Sequence, residues 1–120
     1  MNKRAGWCLI LMLAVGIGDV VAEEVLVGGY SVVLVSNAGV VAAAEFAITA
    51  KEQAMQADDA SASLALVSIV SAWQQVVAGL NYRLTLKVKV NGEEREAEVI
   101  VWWQSWNEEE PYKLTSWEWK

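Results

Sequence analysis

From Tyr82 the chain alternates without a break: Tyr82, Leu84, Leu86, Val88 and Val90 are apolar, while Arg83, Thr85, Lys87 and Lys89 between them are polar. A period of two predicts a strand with one buried and one wet face. Asn91-Gly92 follows, the dipeptide best suited to a tight hairpin, and Ala97, Val99, Val101 and Trp103 then begin a second alternating set. Asn107 to Pro111 reads as another turn, and Tyr112 to Trp119 as a last strand. Upstream, the run from Leu64 to Val77 is apolar with Ser and Gln interspersed. The β-branched run Tyr30 to Ser36, entered through Gly28-Gly29, predicts a first strand.

Between these strands the period changes. Over Ala38 to Ala57, Val40, Val41, Ala44, Ala47, Ile48 and Met55 fall on one side of a helix. Glu45, Thr49, Glu52, Gln53 and Gln56 fall on the other. Asn37 is placed to cap it, and Asp58-Asp59-Ala60-Ser61 to end it. Phe46 sits at the edge of the apolar face, and Lys51 breaks the pattern. The order strand, helix, four strands predicts an α+β domain: one N-terminal α-helix packed against a curved antiparallel β-sheet.

The first residues belong to a different pattern. Lys3 and Arg4 precede an apolar run from Ala5 to Gly18, and Asp19-Val20-Val21-Ala22 ends in small residues. A basic start, a short apolar core and a small-residue cut site describe a secretory signal peptide over 1–22, with the domain over 23–120. The run is shorter than the about 20 residues of a membrane span, and Asp19 interrupts it. The expected location is secreted, extracellular or periplasmic, with no membrane association after cleavage.

Composition narrows the chemistry. The 120 residues include no His and one Cys, Cys8, which lies in the segment expected to be removed. Triads built on imidazole are excluded, as are zinc sites of His or Cys and intramolecular disulfides. No metal site, cofactor or catalytic constellation is visible, so an enzyme is not expected; alternating carboxylates such as Glu96 and Glu98 suit a solvated strand face. A net charge of -6 argues against nucleic acid, and loss of Lys3, Arg4 and Asp19 moves it one unit further negative. Seven Trp residues remain to be placed. Trp102, Trp103, Trp117 and Trp119 read as sheet packing, yet adjacent Trp102 and Trp103 must face opposite sides. One of them needs a partner on the outer face, for which Trp119 is the candidate.

Four local motifs, in order, complete the picture. Leu26-Val27-Gly28-Gly29 follows the expected cut, Ala44-Glu45-Phe46-Ala47-Ile48 lies on the helix, Gln75-Val76-Val77-Ala78-Gly79 sits where the first hairpin bends, and Ser105-Trp106 where the second does. With Leu114-Thr115-Ser116-Trp117 near the end, this set resembles the cystatins, inhibitors of papain-like cysteine proteases, over essentially all of 23–120. The resemblance implies a cystatin-like fold and a reversible inhibitor that occludes the active site of cathepsin-type proteases with an N-terminal trunk and two hairpin loops. Carried over by position, the protease-binding residues are Leu26, Val27, Gly28, Gly29, Gln75, Val76, Val77, Ala78, Gly79, Ser105 and Trp106. Leu26 and Val27 would fill substrate pockets, Gly28 and Gly29 would act as a hinge, and Trp106 would anchor the second loop.

The resemblance further implies a monomer able to exchange strand-helix-strand units into a dimer. Ser105 departs from the Pro usual in that family and loosens the second loop. No Asn lies between Ala57 and Ser63, so legumain inhibition is not expected. Each motif alone also fits an ordinary turn: Gly28-Gly29 a flexible strand entry, Gln75–Gly79 a plain hairpin bend, Glu108-Glu109-Glu110 a solvated turn or an acidic selector beside Trp106. The other function kept open is a non-inhibitory binding module on the same scaffold, using exposed Trp residues for a peptide or small ligand.

Overall fold

The computed structural model describes residues 29–120; the expected signal segment and the trunk residues Leu26, Val27 and Gly28 lie outside the described residues. The described elements are β1 (Ser31–Val32), α1 (Ala38–Asp58), β2 (Leu64–Val77), β3 (Gly79–Val90), β4 (Glu93–Trp103) and β5 (Tyr112–Trp119). The strands form one antiparallel sheet in chain order, β1-β2-β3-β4-β5, with α1 across one face. The α+β architecture of one helix on a five-stranded antiparallel sheet is as the sequence predicts.

α1 begins where expected. The Asn37 side chain accepts hydrogen bonds from the Gly39 and Val40 amides, at 2.8 and 3.2 Å, satisfying donors that a helix start leaves unpaired. Asn37→Ala is therefore expected to cost about 1 kcal/mol and to lower Tm by about 4–8 °C in a thermal melt. Val40, Ala43, Ala44, Ala47 and Ile48 turn inward and meet Ala72, Tyr82, Leu84, Leu86, Val88, Ala97, Val99 and Val101 of the sheet. The alternation over 82–88 and 97–101 thus places every second residue beneath the helix.

The first strand is shorter than its composition suggests. Only Ser31 and Val32 pair with β2, opposite Gln74 and Trp73. Val33 adds one bond to the Ala72 carbonyl, and the chain then turns, the Asn37 amide donating to Leu34 O. The cause is the cap: Asn37 must sit at the end of α1, above the sheet, so the preceding residues have to leave the sheet plane. Leu34 is left 75 % exposed despite its strand-like neighbours.

Lys51, the apparent fault in the helix pattern, has a place. Its ammonium lies 5.6 and 5.9 Å from the ring centres of Trp117 and Trp119, and the Arg95 guanidinium lies 4.2 Å from Trp119. The two indoles meet edge to face at 5.2 Å, so cations cover an aromatic pair at the rim of the core. Register shifts at Leu66/Ser68 and Ile69/Ser71 bend β2, as bulges do. The Asn91-Gly92 hairpin forms as predicted, with positive φ of 52° and 89° at its two central residues.

Candidate functional site

Four segments converge at one end of the sheet. The first hairpin is tighter than a five-residue loop. Gln75 pairs with Asn81, Val76 with Leu80 and Val77 with Gly79, leaving Ala78 alone at the bend. The expected loop is therefore mostly strand tip, fixed by the ladder on both sides. The Asn81 side-chain amide donates to Gln75 Oε1 at 3.0 Å, a rung across the base of the bend. Val76 projects outward, 77 % exposed.

The bend can form because residue 79 is glycine. Gly79 has φ of +86°, and a β-carbon built there would run into the Trp103 carbonyl oxygen of β4. Close approach of β4 to the bend is thus part of the turn.

The second hairpin is pinched at its neck and ordered at its tip. The Gln104 amide donates to Pro111 O at 2.7 Å, the Asn107 amide to Gln104 O at 3.2 Å, and the Glu110 amide to Asn107 Oδ1 at 3.1 Å. Within this loop Ser105 is exposed, and Trp106 stands 56 % exposed. Glu108, Glu109 and Glu110 lie on its solvent side.

Trp102 joins the two hairpins. Its indole Nε1 donates to Ala78 O at 2.7 Å, and its ring meets that of Trp106 edge to face, with centroids 6.1 Å apart. The sequence suggests Trp119 as the outer-face partner of the Trp102–Trp103 pair, but the structure overturns that. Trp102 is the outward member, its partner is Trp106, and Trp119 packs against Trp117 on the helix side. Cross-strand register explains the choice: Trp102 lies opposite Asn81, on the face away from Tyr82 and Val101. Sequence alone reads Trp102 as sheet packing; the signal for its other role is the adjacency of two Trp residues on one strand.

The fourth segment is the chain entering β1. Gly29 has φ of +80° and lies against the Gln75 side chain. The Tyr30 ring covers the Arg83 guanidinium at 5.5 Å, and Arg83 is paired with Glu98 at 2.6 Å. Burial pushes the Tyr30 phenol pKa up, with Arg83 opposing. As a partly exposed ion pair, Arg83–Glu98 adds little stability, yet it supplies the platform on which Tyr30 rests. Tyr30, Gln75, Val77, Asn81, Ile100 and Trp102 line a cleft of about 460 Å³ on this outer face, beside the bend.

Of the residues picked out from the sequence, Gln75 to Gly79, Ser105 and Trp106 come together at this end, with Gly29 beside them. Among the described residues, no cluster of three or more Asp, Glu or Cys side chains could hold a metal ion. The arrangement offers an edge of exposed apolar side chains on a rigid frame, a means of binding to another protein.

Comparison with known proteins agrees with that description. The chain matches the SQAPI family, described as aspartic acid proteinase inhibitor, over residues 32–119. It is similar in fold to the crystal structure of Al-CPI, with a TM-score of 0.60 and 22% identity, covering 77% of this chain and 99% of that one. No curated protein matches at a significant level. The Al-CPI likeness speaks to the fold alone, whereas the family match spans nearly all of the described domain. The chain belongs to the SQAPI family of proteinase inhibitors.

Proposed function

We propose that this chain is a secreted, reversible inhibitor that lays its hairpin edge into the substrate cleft of papain-like cysteine proteases. The observation that carries this is the joined edge: the Gln75–Gly79 tip and Trp106 stand side by side, both exposed and both held by Trp102. An edge of this kind occupies a cleft without presenting an extended peptide for attack. Its rigidity limits the ordering entropy lost on docking. Leu26 and Val27 would add apolar contacts from the segment that joins at Gly29, and exposed Ser105 lies beside Trp106 in the second loop. The chain acts by binding, with no chemistry of its own.

The family description favours a second target class, aspartic proteinases, presented with the same edge. Parallel titrations separate the two. The chain beginning at Glu23 is expected to abolish papain activity at a one-to-one ratio and leave pepsin active. Loss of pepsin activity alone would move the assignment to the aspartic class. Undiminished activity of both at micromolar inhibitor would overturn the proposal. Trp106→Ala is expected to raise the inhibition constant about 30-fold, since truncating an exposed aromatic anchor costs about 2 kcal/mol. The variant's thermal melt should be unchanged. Mass spectrometry of the protein recovered from the medium, expected to begin at Glu23, tests export and cleavage.

A further inference from the structure

We infer that Trp102 is a positioning residue for inhibition: its indole N–H and ring edge lock the two hairpins into one binding-competent edge. The inference rests on the inhibitor reading above, but its structural half is testable without any protease. Ala78 is the one residue of the first hairpin outside the ladder, so its carbonyl has no strand partner. Trp102 Nε1 supplies the bond instead, at 2.7 Å, from a different strand pair. The same ring lies against Trp106, whose loop is otherwise held by bonds within itself, Gln104 to Pro111 at the neck and Asn107 to Gln104 and Glu110 to Asn107 at the tip. One side chain therefore restrains the tip of each hairpin relative to the other. The Gln75–Asn81 rung shapes the first bend from within, and Gly79 lets β4 approach it, but the Trp106 loop meets the Trp102 ring.

A residue that organises the edge acts on the fraction of molecules ready to bind. Apparent affinity falls in proportion to that fraction, and the fall appears in kon. A residue that contacts the protease directly acts mainly through koff. The two roles are thus kinetically distinct.

Trp102→Phe keeps the ring and removes the N–H. Loss of one such bond is expected to lower kon for papain about fivefold while leaving koff within about twofold. Trp102→Ala removes the ring edge as well. In that background Trp106→Ala should cost less than it does in the wild-type chain, because the two rings act as a unit. For the folded wild-type chain, the Trp102 indole N–H resonance should exchange slowly with solvent, and the Ala78 and Gly79 amides should exchange faster in Trp102→Phe.

An unchanged kon, a rise in koff alone, or additive Trp102 and Trp106 effects would overturn the inference. So would a wild-type Trp102 indole N–H in fast exchange, a result that stands even if the Phe variant folds poorly. Should the wild-type chain inhibit neither papain nor pepsin, the functional reading fails. The exchange data then decide separately whether Trp102 locks the hairpins.

Discussion

Replacing Gly79 with alanine is expected to cost at least about 3 kcal/mol of stability and to weaken inhibition by about 100-fold or more. Two effects combine there. The backbone has φ of +86°, a conformation that side chains with a β-carbon resist, and the new methyl would meet the Trp103 carbonyl oxygen. That carbonyl belongs to the ladder between β3 and β4, where Leu80 pairs with Trp103, so it cannot retreat without breaking the sheet. Relief must come from opening the Ala78 bend, which is the proposed binding tip. Gly92→Ala supplies the control. Gly92 has φ of +89°, but an added β-carbon there meets nothing within 4 Å. It should lose about 1 kcal/mol and inhibit normally. Denaturant midpoints and inhibition constants for both variants check the argument. Equal losses at the two positions would remove the Trp103 carbonyl from it.

The contrast between these glycines also shows what was legible before the structure. Asn91-Gly92 was readable as a hairpin because its requirement, positive φ at two neighbouring residues, is written in the dipeptide itself. The strict alternation from Tyr82 and the Asn37 cap were readable for the same reason: period and capping are local rules. Gln75 to Gly79 stands out as a candidate site by its resemblance to a known pattern. Its actual shape, a strand tip with a single residue at the bend, depends on pairing with Asn81, Leu80 and Gly79. The role of Trp102 was hidden more deeply. Nothing near position 102 says that its indole reaches Ala78, 24 residues earlier in the chain. Likewise Tyr30 reads as the start of a strand, and only the fold sets its ring over Arg83. The overestimated first strand fails in the same way, because the demand that ends it comes from the geometry of α1 above the sheet, not from Val33, Leu34 or Val35.

Leu84→Ala is expected to destabilise the domain by about 3 kcal/mol while leaving the inhibition constant of the folded fraction unchanged. Leu84 is 0 % exposed at the centre of β3, between Ala72 of β2 and Val99 of β4 and under the helix. The helix offers mostly small groups there, Ala43, Ala44 and Ala47, so the core draws its volume from Leu84, Leu86, Val88, Val99 and Val101 of the sheet. Small neighbours have no longer side chain to swing into the space left by a lost isobutyl group, and the cavity persists. The only cysteine is Cys8, so no intramolecular disulfide can form, and a domain of this size has stability of only about 5–15 kcal/mol to lose. Urea unfolding should show a lower midpoint with an unchanged slope. Val76→Ala should behave in the opposite sense. That side chain is 77 % exposed at the proposed binding tip, so its loss should change stability by less than about 0.5 kcal/mol and raise the inhibition constant. The pair tests whether framework and edge are separable. If Leu84→Ala weakened inhibition as much as stability, the edge would not be the rigid extension of a well-folded ladder, and its affinity would have to come from elsewhere in the chain.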